Sequence, residues 1–157
     1  MNHLKSWGVE TGRGKYHEEA VYSLALIFNL VHSEISTYLN NFDLTPAQFN
    51  VLMVIKHQGA KEGISQVDIS KKLIVTPSNM TRLLDKLEKE GVVSRGVQQG
   101  DRRVNVIKAS EKGSKLLDRA WPGYQEKLQE LLAQLNQTDQ KILSGLLLKW
   151  LDKLMEG

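Results

Sequence analysis

The chain has 157 residues, 41% hydrophobic and 25% charged, with a formal net charge of +3, which fits a small globular domain with helical additions. It contains no cysteine, which excludes disulfides, Cys-ligated zinc and thiol redox sensing. Its longest uncharged stretch, Ala20 to Ser33, is too short for a membrane span, and no apolar segment with a cleavage site follows Lys5, Arg13 and Lys15, so a cytoplasmic location off the membrane is expected.

Residues 1–16 hold Gly8, Gly12 and Gly14 without periodicity and read as an arm, mobile or packed on a partner. From His17, Val21, Leu24, Phe28, Val31, Ile35 and Leu39 recur at helical spacing. Leu26, Ile27 and Leu30 widen the stripe, so this helix is expected to be buried from two directions. Thr45-Pro46-Ala47-Gln48 combines an N-cap, a first-turn proline and a capping-box glutamine, and predicts a helix to about Gln58, ended by Gly59. After a turn at Lys61-Glu62-Gly63, Ser65 starts a short helix with Asp68 completing the cap and Val67, Ile69 and Leu73 inward. Thr76-Pro77 repeats the cap-plus-proline signal three residues later, so the pair reads as a helix-turn-helix.

That second helix ends at Gly91. Val92–Arg95 and Val104–Lys108 then read as two strands around a polar tip, Gly96 to Arg103. Ser110 caps a helix carrying Leu116, Leu117, Trp121, Tyr124, Leu128, Leu131 and Leu135, with a kink expected at Pro122. Thr138 is expected to cap a last helix bearing Ile142, Leu143, Leu146, Leu147, Trp150, Leu151 and Leu154. The predicted architecture is mainly α with a small β wing: a winged helix-turn-helix over 45–110, and a helical dimerisation region formed by 17–44 and 111–157.

At 100° per residue, Met80, Leu83, Leu84 and Leu87 share one face of the helix after Thr76. Ser78, Arg82, Asp85 and Lys89 lie opposite, with Asn79 and Lys86 to one side and Thr81 to the other. Arg suits guanine, Asn suits adenine and Ser suits either, and a recognition helix uses its N-terminal half for base contact. Alone, this helix fits an ordinary amphipathic surface helix as well; the capped helix before it and the hairpin after it favour DNA. Between Ser65 and Ser110 there are 9 Lys/Arg against 5 Asp/Glu, a net of +4, leaving 12 against 13 elsewhere. At the hairpin tip Arg102 and Arg103 can reach a minor groove, and Asp101 can orient Arg103.

These features resemble the MarR family of bacterial transcriptional regulators over about residues 20–155. The likeness is carried by Thr45-Pro46, the 65–73 and 76–90 helix pair, Gly91-Val92-Val93-Ser94-Arg95, Asp101-Arg102-Arg103 and Ala109-Ser110-Glu111-Lys112-Gly113. Ser70 departs from a common Ala, Ala109 from a common Leu, and the arm has no standard counterpart. The resemblance implies a homodimer built by the first and last two helices, on double-stranded DNA. It places Ser78, Asn79, Thr81 and Arg82 in the major groove, Ser65 and Gln66 on phosphates, and Arg103, with Asp101, at the wing tip. Thr76, Lys86, Arg95 and Arg102 complete the DNA-contacting set. A C2 dimer predicts a pseudo-palindromic operator.

The resemblance also implies a small aromatic or phenolic effector, for which Tyr16, His17, Tyr22, His32 and Trp121 are candidates; the same residues suit core and interface packing. His3, His17, His32 and His57 are scattered, so no metal or other cofactor is expected. No Ser/His/Asp cluster, phosphate loop or carboxylate pair points to catalysis. A repressor released by an effector is the leading reading, and a winged-helix scaffold for protein contacts the alternative.

Overall fold

The computed structural model describes residues 3–12, 14–59, 62–74, 76–98 and 101–156, apart from the side chains of 98 and 101–104. Its elements run α1 (Tyr16–Leu39), α2 (Pro46–Gln58), β1 (Ile64–Ser65), α3 (Gln66–Leu73), α4 (Pro77–Lys89), β2 (Val93–Gln98), β3 (Asp101–Ala109), α5 (Glu111–Leu132) and α6 (Gln137–Glu156). Short 3-10 turns occupy Lys5–Trp7 and Asn40–Phe42. Met1–Pro122 form one compact unit and Gly123–Gly157 a second, with α5 passing through Pro122 as helix.

The core of the first unit lies where α2 meets α3, α4, β3 and α5. Phe49, Val51, Leu52, Ile55, Ile69, Met80, Leu84, Leu87, Ile107 and Leu117 are each at most 2% exposed. Burying a side chain of this size contributes about 1.5–3 kcal/mol relative to leaving it in water, which is why the apolar face of α4 points inward. Val67, expected inside, is 61% exposed, because the inward line of this eight-residue helix runs through Ile69 and Ser70.

Caps decide where the helices begin. Thr45 and Gln48 form a full capping box, and Gln48 is buried against Glu90. Ser65 Oγ accepts from Asp68 N at 3.1 Å and donates to the Asp68 carboxylate at 2.7 Å. Thr76 stands at the N-cap of α4 but its side chain makes no capping bond; Pro77, which has no N–H to satisfy, starts that helix. α6 begins one residue before Thr138, on Asn136, whose Oδ1 accepts from Asp139 N at 3.0 Å.

The wing is longer than expected and is not alone. β2 and β3 pair antiparallel from Val93↔Ala109 to Gln98↔Asp101, with a bulge after Val97. A strand too short to register in the sequence, β1, adds to the other edge of β3 through Ile64↔Ile107 and Ser65↔Val106, giving the order β1-β3-β2.

Candidate nucleic-acid interface

α4 stands on its buried face and exposes the residues opposite. Ser78, Asn79, Thr81 and Arg82 are all exposed on its N-terminal half. Asn79 and Arg82 form no hydrogen bond or ion pair with the described residues, so their donors remain available. Ser78 Oγ lies 3.4 Å from Thr76 Oγ1. The backbone N–H groups of the first turn add a partial positive charge at the same end.

Thr81 is placed differently. Its hydroxyl donates to Pro77 O at 3.0 Å and accepts from Gln66 Nε2 at 2.7 Å, which links the two helices of the helix-turn-helix. Gln66 and Thr81, both expected at DNA, are therefore engaged with each other. Ser65 is taken up by its cap, and Lys86 lies 3.8 Å from Glu90.

Arg95 is also committed within the protein. Its guanidinium donates to Glu88 Oε2 at 2.6 Å and to Asp85 Oδ1 at 2.5 Å. The Asp85 bond, opposed by desolvation and aided by the charges of Glu88 and Asp85 and the Glu88 bond, raises the pKa of an already permanent cation. The structure gives Asp85 and Glu88 a use as the seat of the wing. The signal was present in the sequence as two carboxylates one helical turn apart, followed across the Gly91 turn by an arginine. Gly91 itself has φ +70°, the left-handed conformation that glycine adopts without a Cβ clash. Lys112 Nζ donates to Glu90 O at 2.7 Å, and Ser110 Oγ donates to Gly91 O at 2.7 Å while accepting from Gly113 N. The end of α4, the wing and the start of α5 are thus tied at one junction.

The backbone of Asp101, Arg102 and Arg103 continues β3, but their side chains lie outside the described residues. The effector candidates are spread out. Tyr16, His17, Tyr22 and His32 are exposed along α1, Tyr22 beside Trp7 and His32 beside Phe28. Trp121 is half-buried between Phe49 and His57. Among the described residues no group of His, Asp and Glu could hold a metal ion, and no helix is long and apolar enough to cross a membrane.

Comparison with known proteins converges on one group. The family model described as "MarR family" matches residues 44–104. An uncharacterised HTH-type transcriptional regulator of Bacillus cereus is 35% identical over 115 residues, 71% of this chain and 73% of that protein. The crystal structure of the S. aureus MepR–DNA complex superposes with a TM-score of 0.76 at 28% identity, covering 85% of this chain and 96% of the other. A mutant MarR from E. coli complexed with operator DNA gives 0.75 at 28% identity, covering 83% and 91%.

Proposed function

The chain belongs to the MarR family of DNA-binding transcriptional regulators, and from that premise we propose that it is a cytoplasmic homodimeric repressor of a pseudo-palindromic operator, released by a small molecule. Its role is regulatory and not catalytic. The observation that carries the operator reading is the N-terminal half of α4, where Asn79 and Arg82 are exposed and have no partner among the described residues, on a helix whose other face is buried. In this reading α4 enters the major groove, Arg82 and Asn79 contact base edges, and Ser78 contacts a base or phosphate. Ser65, Gln66, Thr76 and Lys86 lie toward the backbone. Arg102 and Arg103 reach the minor groove, with Asp101 orienting Arg103. Arg95 and Thr81 serve by position, one seating the wing and the other fixing the two helices.

Dimerisation is supported by α6, which has no buried residue although Ile142, Leu146, Leu148, Leu154 and Met155 are each more than half exposed. A two-fold dimer sets recognition helices about 34–36 Å apart, one turn of DNA. The two similar structures solved with DNA concern other proteins and support the same mode here.

The test is footprinting on the DNA adjoining the chain's own gene, repeated at rising salt. A protected inverted repeat, with affinity falling steeply as salt rises, is expected. Protection of no site in a broad genomic pool, or a flat salt response, would turn the reading toward a scaffold for protein contacts.

A further inference from the structure

The N-terminal arm is folded onto its own chain. Leu4 and Val9 are buried, at 8% and 3% exposure. Gly12 N donates to Glu19 Oε1 at 2.8 Å, and the rings of Trp7 and Tyr22 are 6.3 Å apart. Between the arm and α1 lies a cleft of about 970 Å³, lined on the arm side by Leu4 and Trp7 and on the helix side by Leu26, Ile27 and Leu30. That is at the upper end of the volumes, about 300–1,000 Å³, that small-molecule sites occupy.

The cleft differs in chemistry from a helix-packing face. Ser6, Ser23 and Asn29 bring hydroxyl and amide groups to its apolar walls. His3 is its one titratable group among the described lining residues; no Asp, Glu, Lys or Arg is among them. Among the described lining residues no Lys or Arg would replace the hydration that an entering carboxylate gives up, whereas a neutral amide or hydroxyl would find partners.

The cleft also lies apart from the other apolar face of α1. At 100° per residue, Ser23, Leu26, Ile27 and Leu30 cluster about one direction. The exposed Val21, Leu24 and Phe28 cluster about another, roughly 140° round the helix. A second subunit packed on Val21, Leu24 and Phe28 would leave the arm side open.

We propose that the cleft between the arm and α1 binds a neutral, largely apolar small molecule carrying a hydrogen-bonding group, with Trp7 stacking on it. Binding stands on the cleft alone; only its effect on DNA rests on the effector reading above.

The experiment uses the full-length chain and the neutral fluorescent probe N-phenyl-1-naphthylamine, with 1-naphthamide and 1-naphthoate as a matched neutral and anionic pair of competitors. Saturable binding of one probe per chain is expected, weakened at least tenfold by Trp7→Ala and by Ile27→Glu. Both positions are more than half exposed, so the two variants are expected to melt with the parent. Naphthamide is expected to displace the probe at least tenfold better than naphthoate. Probe binding unchanged in both folded variants would overturn the site. Equal competition by acid and amide would overturn the ligand class. Variants that weaken self-association and leave the probe untouched would make the cleft a contact for a second copy and overturn the proposal. Operator binding followed in the same titration separates the two readings: saturation of the cleft with unchanged DNA affinity overturns the effector role and leaves the binding site standing.

Discussion

Arg95 Nη2 lies 2.5 Å from Asp85 Oδ1, so the first strand of the wing, β2, is fastened to α4. The Arg95 side chain is 33% exposed and that of Asp85 is 56% exposed, so solvent screens the pair and its share of folding stability is about 0–1 kcal/mol. In the proposed reading its effect on geometry is larger, because the angle between α4 and the wing decides whether both reach DNA together. Arg95→Ala is expected to lower operator affinity about tenfold, equivalent to roughly 1.4 kcal/mol, with only a small change in denaturation midpoint. Asp85→Ala should do the same, and the double variant should lose less than the sum. Additive losses in a binding titration would remove the linkage.

Arg82, like Lys89, is an exposed cation on the face of α4 opposite its buried side, with no partner among the described residues, and of the two it lies in the N-terminal half of the helix. Arg82→Ala is expected to weaken operator binding by about 1–3 kcal/mol and to relax preference at one base position. Competition against random DNA checks it: equal losses on both would make Arg82 a phosphate contact and move base reading to Asn79 and Ser78.

The turn between α3 and α4 contains an unfavourable residue. Ile74 has φ +52° at the C-cap of α3, where a β-branched side chain is strained, and it is 74% exposed. The left-handed conformation costs an L-residue about 1–2 kcal/mol, while glycine adds up to about 1 kcal/mol of chain entropy. Ile74→Gly is therefore expected to raise stability by about 0.5–1 kcal/mol in urea denaturation. A loss instead would mean that the Ile74 side chain supports the turn through packing that offsets the strain.

What could be read from the sequence followed the period of each signal. The buried face of α4 repeats over several turns, and the Thr45 capping box has a fixed spacing, so both were legible. β1 is only Ile64–Ser65 and has no period to detect; it exists because β3 offers it a free edge. Val67 misled because an eight-residue helix has few inward positions, and a single β-branched residue does not define its face. In the candidate site, Ser78, Asn79 and Arg82 were legible because exposure follows from the helical wheel. The contacts of Arg95 and Thr81 were not, since each depends on a partner, Asp85 or Gln66, brought near only by tertiary folding.

α6 presents apolar side chains around much of its circumference. Ile142 and Leu146 are 56% and 61% exposed, and Leu143, Leu147, Trp150, Leu151 and Leu154 continue the surface. Leaving so many large apolar groups in water forgoes roughly 25 cal/mol for each Å² that a partner could cover, and contiguous patches of this kind mark association sites. If a second copy covers them, a charge placed there cannot be accommodated without a partner. Leu146→Glu is accordingly expected to shift the protein from dimer to monomer in sedimentation velocity and to weaken binding to a two-half-site operator by at least a hundredfold. It should leave the weaker affinity for an isolated half-site nearly unchanged, because α4 and the wing belong to the other unit. A Leu146→Glu protein that sediments as the parent would exclude this part of α6 from the subunit interface. Loss of half-site binding as well would show that the substitution damages the fold of the DNA-reading unit and not its pairing.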